Sequence, residues 1–211
     1  MKIGIIGAGN IGATLANLFI KAGHAVALSN SRGPETLKPL VKALGDNAIA
    51  MTVDGAAAFG EMVVLAIPWR KPEALPDSEI LKDKIVIDAM NPYKETGGLI
   101  DLEDSTSSEE TAKRLPGANI VKAFNTIWFK HLAESGRTDL PLKERRAIFM
   151  AGDNVESKAK VAHLIEEIGF AAIDTGSLRD GGKLQEPESQ LYNKEITCEE
   201  AHDLLKKPDT V

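Results

Sequence analysis

Lys2-Ile3-Gly4-Ile5-Ile6-Gly7-Ala8-Gly9-Asn10-Ile11-Gly12 joins a short apolar run to three glycines spaced G-x-G-x-x-G. The run Lys2 to Ile6 has the character of a strand buried on both faces. After the glycines, Ile11, Leu15, Leu18 and Ala22 recur on one helical face, and Gly23 stands where that helix should stop. A glycine turn between a first strand and an amphipathic helix is the context that gives this spacing a meaning. Gly7 permits the tight turn, Gly9 leaves space for a pyrophosphate against the backbone, and Gly12 lets helix and strand pack closely. The phosphates of a dinucleotide would then meet free N–H groups and the positive end of the helix dipole.

The pattern outward from this turn repeats. His24 to Ser29 reads as a second strand; Pro34 opens a helix with Leu37, Leu40, Val41 and Leu44 as its apolar stripe. Ala48 to Thr52 is a weak strand, followed by an alanine-rich helix that Asp54 could cap. Met62 to Ile67 and Lys84 to Ala89 are buried strands, ended by Pro68 and by Asn91-Pro92. Ser107-Ser108-Glu109-Glu110 has the form of a capping box. Ile120 to Phe124 is a strand, and Ile127 to Ala133 a helix. Ala147 to Ala151 is a strand, Asp153 is placed to cap a helix from Val155 to Ile168, and Ala171 to Asp174 is the last strand. Strands alternating with helices predict an α/β, Rossmann-type, doubly wound and mostly parallel sheet over residues 1–176. Residues 177–211 form a short tail with a helix from Thr197 to Leu205, expected as a lid or partner-facing segment rather than an independent domain.

The end of the second strand distinguishes between the two nicotinamide cofactors. An NAD site usually places Asp or Glu there, whereas this chain has Ser29-Asn30-Ser31-Arg32 and no carboxylate before Glu35. Arg32 would attract a 2′-phosphate, and Ser31, with Ser29 or Asn30, would add donors; the expected cofactor is NADP(H). Ligands of open parallel sheets lie beyond the carboxyl ends of the strands. That directs attention to Ile67-Pro68-Trp69, Asn91-Pro92-Tyr93 and Asn125-Thr126-Ile127. Trp69 either walls the nicotinamide pocket or packs as a partly buried aromatic. Asn125 and Thr126 either bond nicotinamide or substrate, or simply form the turn.

No acid–base constellation stands out, and the catalytic residues are unknown at this level. His131 is a candidate acid or base that competes with a surface or capping role, while His163 and His202 fit solvated helix positions. No cluster has metal-ligand spacing and no nucleophile elbow occurs. Hydride transfer between stacked rings needs mainly positioning, so it is compatible with so sparse a set.

With 211 residues, a hydrophobic fraction of 43% and a charged fraction of 27%, the chain is an ordinary globular one. A net charge of −6 disfavours nucleic-acid binding. Cys198 is the only cysteine, so no intrachain disulfide forms. Neither a signal peptide nor a membrane-length apolar run is apparent, so the expected location is the cytoplasm, with no membrane partner.

The ordered set Gly7 to Gly12, Asn30-Ser31-Arg32, Ala66-Ile67-Pro68-Trp69, Val121 to Ile127, Ala151-Gly152-Asp153 and Asp174-Thr175-Gly176 resembles the deazaflavin (coenzyme F420)-dependent NADP oxidoreductase family. The tail from Gly181 looks like the bacterial branch of that family. The resemblance implies NADP(H) held by Ala8 to Ile11, with Ser31 and Arg32 at the 2′-phosphate. It places Ile67, Ala123 and Ile127 near the nicotinamide, and a deazaflavin or flavin as the co-substrate that exchanges hydride with it. A homodimer formed through the tail would fit the family. One departure is Asn125, which stands where the deazaflavin-active members resemble a pattern with His. Two alternatives stay open: an NADPH-dependent reductase of small imines or carbonyls, and a non-catalytic NADP(H) sensor.

Overall fold

The computed structural model describes residues 1–206. Eight strands form one sheet: β1 (Lys2–Ile6), β2 (Ala25–Ser29), β3 (Ala48–Ala50), β4 (Met62–Leu65), β5 (Ile85–Asp88), β6 (Asn119–Ala123), β7 (Ala147–Gly152) and β8 (Ala171–Asp174). Their order in space is β3-β2-β1-β4-β5-β6-β7-β8. From β3 to β6 every pairing is parallel; β7 runs antiparallel to β6, and β8 parallel to β7. The sheet is therefore the expected Rossmann-type, mostly parallel one, extended by two strands of opposite direction.

The central strands β1, β4 and β5 are short and apolar because helices cover both of their faces. On one face Ile3 and Ile5 join Leu15 and Phe19 of α1 (Asn10–Lys21) and Val161 and Leu164 of α7 (Val155–Glu167). On the other, Ile6 and Val63 meet Ala56 and Ala57 of α3 (Val53–Phe59) and Leu81 of α4 (Ser78–Leu81). The remaining helices are α2 (Lys38–Leu44), α5 (Ser107–Arg114), α6 (Phe129–Glu134), α8 (Asp180–Lys183) and α9 (Cys198–Lys206).

Three helix starts differ from the sequence expectation, each for the same reason. Thr52 caps α3 by accepting from Gly55 N–H, while Asp54 instead accepts from Asp77 N–H at 3.1 Å. Thr106, not Ser107, forms the capping box of α5 with Glu109, at 2.8 Å and 3.1 Å. Asn154 caps α7, and Asp153 accepts from Leu178 N–H at 2.9 Å. In each case a polar residue one or two positions away is drawn into a contact distant in sequence, which local pattern cannot show.

The segment after Gly176 lies on the sheet. Leu178, Leu191, Cys198 and Ala201 are buried, the last three beneath Phe149 and Ile173 of β7 and β8. Thr197 bridges to Arg146 at the start of β7. Residues 207–211 of the expected tail lie outside the described ones. Among the described residues no helix is long and apolar enough to cross a membrane.

Candidate functional site

The glycine turn joins β1 to α1 at the carboxyl edge of the parallel strands. Gly7 has φ of 107°, a conformation that side chains rarely adopt, and a Cβ on it would strike the Ala66 carbonyl. A Cβ on Gly12 would run into the Gly7 carbonyl, so strand and helix touch here. At Gly9 an added Cβ meets nothing within 4 Å. Gly9 is also the N-cap of α1 and offers no side-chain acceptor, and the first turn carries no acidic residue. A positive helix end with uncapped N–H groups beside open space suits a pyrophosphate, so these residues fit the expected dinucleotide.

A cleft of about 700 Å³ runs from this turn along the ends of β2, β3 and β4. Gly7, Gly9, Ser31, Ile67 and Pro68 line it, as do Asn30, Thr52, Val53, Lys71 and Leu75. The Asn30 carboxamide shapes the loop, accepting from Arg32 N–H at 3.0 Å and donating to Thr36 Oγ1 at 2.9 Å. Ser31 and Arg32 project from that loop as exposed residues. The nearest following carboxylate, Glu35, is paired with Lys38 and does not line the cleft. Ser29 is fully buried, its hydroxyl donating to the Ile5 carbonyl at 3.3 Å, so it is not one of the cleft's donors. Ala8, Asn10 and Ile11 are at least partly exposed at the head of α1 and Gly12 is buried; like Arg32, none of them lines the cleft itself.

Several expected site residues are placed elsewhere. Trp69 is packed inside: Nε1 donates to the Ser107 carbonyl at 2.9 Å and to Thr111 Oγ1 at 3.2 Å, and the Arg114 guanidinium lies 4.1 Å over its ring. It anchors the loop after β4 to α5 rather than walling the cleft. Ala123 and Ile127 belong to the core. Asn125 is buried and its amide is already committed, donating to Asn91 Oδ1 at 3.2 Å and to the Gln185 carbonyl at 2.7 Å. Thr126 is buried, and its carbonyl accepts from Asn193 N–H at 3.0 Å. These residues fix the edge of the site instead of reaching into it. Phe124, just before them, holds a left-handed φ of 65°, a strain that the packed surroundings must impose. His131 is engaged with Glu195 at 2.9 Å and Arg146 at 3.3 Å, and does not line the cleft.

Two polar clusters were not found from the sequence. The first is buried under the amino end of α5. Lys122 Nζ, fully enclosed, donates to Ser107 Oγ at 2.6 Å and Ser108 Oγ at 3.3 Å and lies 3.6 Å from Glu186 Oε1. Ser108 Oγ donates to Asp88 Oδ2 at 2.8 Å, and burial pushes the Asp88 carboxyl above its ordinary range despite Lys122 beside it. The second cluster stands at the ends of β5 and β6. Tyr93 and Tyr192 share a hydrogen bond of 2.7 Å, and Asn91 Nδ2 donates to the Asn125 carbonyl at 2.9 Å and, more weakly, to Tyr192 Oη at 3.5 Å. The sequence does place Tyr93 at a strand end, but gives no sign of its partner almost a hundred residues on. Among the described residues no group of three or more His, Cys, Asp or Glu side chains is gathered to hold a metal ion.

Known proteins share this fold. Residues 2–92 match the family described as NADP oxidoreductase, coenzyme F420-dependent. A solved structure of a hypothetical protein from Sinorhizobium meliloti is 30% identical, with a TM-score of 0.81 over 93% of this chain and 95% of that one. A candidate F420-dependent NADP-reductase from Arthrobacter sp. FB24 is 25% identical, with a TM-score of 0.74 over 84% of this chain and 86% of the other. The chain belongs to the coenzyme F420-dependent NADP oxidoreductase family. Members are NADP-dependent oxidoreductases, and the matched residues include the glycine turn, Asn30 to Arg32 and the end of β4. Metalloreductase STEAP3 of Rattus norvegicus is 27% identical over 186 residues, 87% of this chain. This chain spans about a third, 36%, of that relative's length. The family match ends at Pro92, before the Lys122 cluster and the Tyr192 partner.

Proposed function

We propose that the protein holds NADP(H) in the cleft and passes hydride between its nicotinamide and a planar acceptor, a flavin or deazaflavin. The observation that carries this reading is the cleft itself. It begins at an uncapped helix start, passes Asn30 and Ser31 at the end of β2, where the sequence has no carboxylate before Glu35, takes in Asp54 and Glu73 further along, and reaches Ile67 and Pro68 beyond β4, the strand next to β5. Backbone N–H groups of Ala8 to Gly12 would take the pyrophosphate. Ser31 and Arg32 would hold the 2′-phosphate, with Arg32 able to pair bidentately. Ile67 and Pro68 would bound the nicotinamide with apolar surface. NADPH, when bound, supplies the hydride; the chain's own work is to bind, orient and exclude water.

The experiment is a titration with NADPH and NADH followed by mixing with FMN, FAD or an 8-hydroxy-5-deazaflavin at the nicotinamide absorbance. NADPH should bind at least about tenfold more tightly than NADH, and its absorbance should fall with one of the planar acceptors. Equal affinity for the two cofactors would refute the 2′-phosphate assignment. Tight NADPH binding without turnover on any acceptor would leave a sensor, not an oxidoreductase.

A further inference from the structure

We propose that the Tyr93 hydroxyl is the group that hydrogen-bonds the hydride acceptor, held in place by Tyr192 and Asn91, and that the acceptor carries a carbonyl or ring nitrogen conjugated to the atom that receives hydride. This rests on the oxidoreductase reading above and names the acceptor's chemistry within it.

The argument begins with position. The sheet runs β1-β4-β5-β6, so the part of the cleft at Ile67 and Pro68 is one strand from the Asn91-Pro92-Tyr93 turn. An acceptor beside the nicotinamide would lie across the ends of β5 and β6. There the Asn125 amide donates to protein oxygens on both sides, and Asn125 and Thr126 are buried. Tyr93 is different: it is 40% exposed, and its hydroxyl touches another phenol. Its backbone is fixed, with Tyr93 N–H on the Asn91 carbonyl at 2.9 Å and a bridge to Leu99.

The proton inventory then gives a direction. Two phenols own one proton each, and their shared bond of 2.7 Å uses one of them. Asn91 Nδ2 approaches the Tyr192 oxygen as a donor, which favours Tyr192 giving its own proton to Tyr93. The Tyr93 proton is then free to point outward. Burial, reinforced by the Tyr93 hydrogen bond, pushes the Tyr192 phenol up, so Tyr192 keeps the proton that it gives to this bond.

A fixed hydroxyl donor is useful for one kind of chemistry. Hydride carries one proton and two electrons from NADPH to the acceptor: NADPH becomes NADP⁺, and the neutral acceptor A becomes AH⁻. The new negative charge spreads onto a conjugated oxygen or nitrogen, and a preorganised O–H there stabilises the product side more than the reactant. A metal ion offers no such atom to Tyr93.

The test is an equilibrium titration of the NADP⁺-loaded protein with oxidised FMN and, separately, with an 8-hydroxy-5-deazaflavin, read by quenching of their fluorescence. Tyr93→Phe should raise the acceptor's Kd about five- to tenfold, the loss of one neutral hydrogen bond, and leave NADPH affinity within about twofold. In turnover Tyr93→Phe should also lower kcat, whereas Tyr192→Phe should raise the acceptor's KM and leave the KM for NADPH unchanged. A Tyr93→Phe protein that binds the acceptor as the wild type does would overturn the proposal while the oxidoreductase reading stands. A wild-type protein that binds NADPH but neither acceptor would overturn that reading and the proposal with it.

Discussion

Replacing Lys122 by Met tests the buried cluster beneath α5. The two side chains are similar in length, so little cavity is created and the loss is chiefly electrostatic. In the native protein Lys122 Nζ is fully buried, 2.6 Å from Ser107 Oγ and 3.6 Å from Glu186 Oε1. Glu186 Oε1 also accepts from Ser107 N–H at 2.8 Å and Ser107 Oγ at 2.7 Å, whereas Oε2 is buried without a partner. Removing the ammonium leaves a carboxylate with half of its acceptors unserved and a second one, Asp88, without its counter-charge. Breaking such a pair costs about 3–5 kcal/mol. The Glu186 side chain is 18% exposed and can turn partly to water, which sets the expectation at the lower end, about 3 kcal/mol. For a chain of this size that corresponds to a fall in Tm of about 6–12 °C, measured by calorimetry or urea unfolding at pH 7. Adding Glu186→Gln to Lys122→Met should restore at least half of the loss, because the orphaned charge is then gone. A single variant that loses less than about 1 kcal/mol, or a double variant no better than the single, would refute the reasoning.

Three further outcomes follow from the geometry. Arg32→Ala should weaken NADPH about ten- to thirtyfold and NADH less than about threefold, the lower part of the charged hydrogen-bond range because Arg32 is exposed; equal losses in the two titrations would contradict the assignment. Gly12→Ala should destabilise the fold by about 1–3 kcal/mol and weaken NADPH more than tenfold, since its Cβ meets the Gly7 carbonyl; unaltered unfolding and binding curves would show that the turn can relax. For Asp88 the folded carboxyl is raised by burial, so the native state holds the proton more firmly than the unfolded chain. That contribution is present at low pH and is lost as pH rises above about 4 and through the folded value. Wild-type protein should therefore lose stability relative to Asp88→Asn as pH is raised, and parallel stability profiles would contradict the shift.

Much of the sheet is legible in sequence because each strand is a short apolar run with glycine, proline or asparagine at its ends. The glycine turn is legible for a stronger reason: Gly7 is required by its own left-handed backbone and Gly12 by the Gly7 carbonyl five residues back, and local pattern records local geometry. What escaped notice depends on distance. The reversal of β7 is invisible, since Ala147 to Gly152 has the same composition whichever way it runs. Asn125 looks like a ligand group until Asn91 and Gln185 are seen to occupy its amide. Trp69 looks like a pocket wall until Ser107 and Thr111, well along the chain, take its N–H. Lys122 sits in an apolar strand and draws no notice without Glu186.

The reversal of β7 and β8 also sets an order of events during synthesis. Because these strands run against β6, the chain leaves β8 on the opposite edge of the sheet and returns to the reactive edge only at Gln185 and Tyr192. The cleft is built almost entirely from residues between Ile6 and Leu75. A growing polypeptide therefore has the material for its dinucleotide half long before Tyr192 has been translated. The residues that line the cleft and the tyrosine that faces its reactive edge thus come from opposite ends of the chain, and only the closing of the last segment over β7 and β8 brings them together.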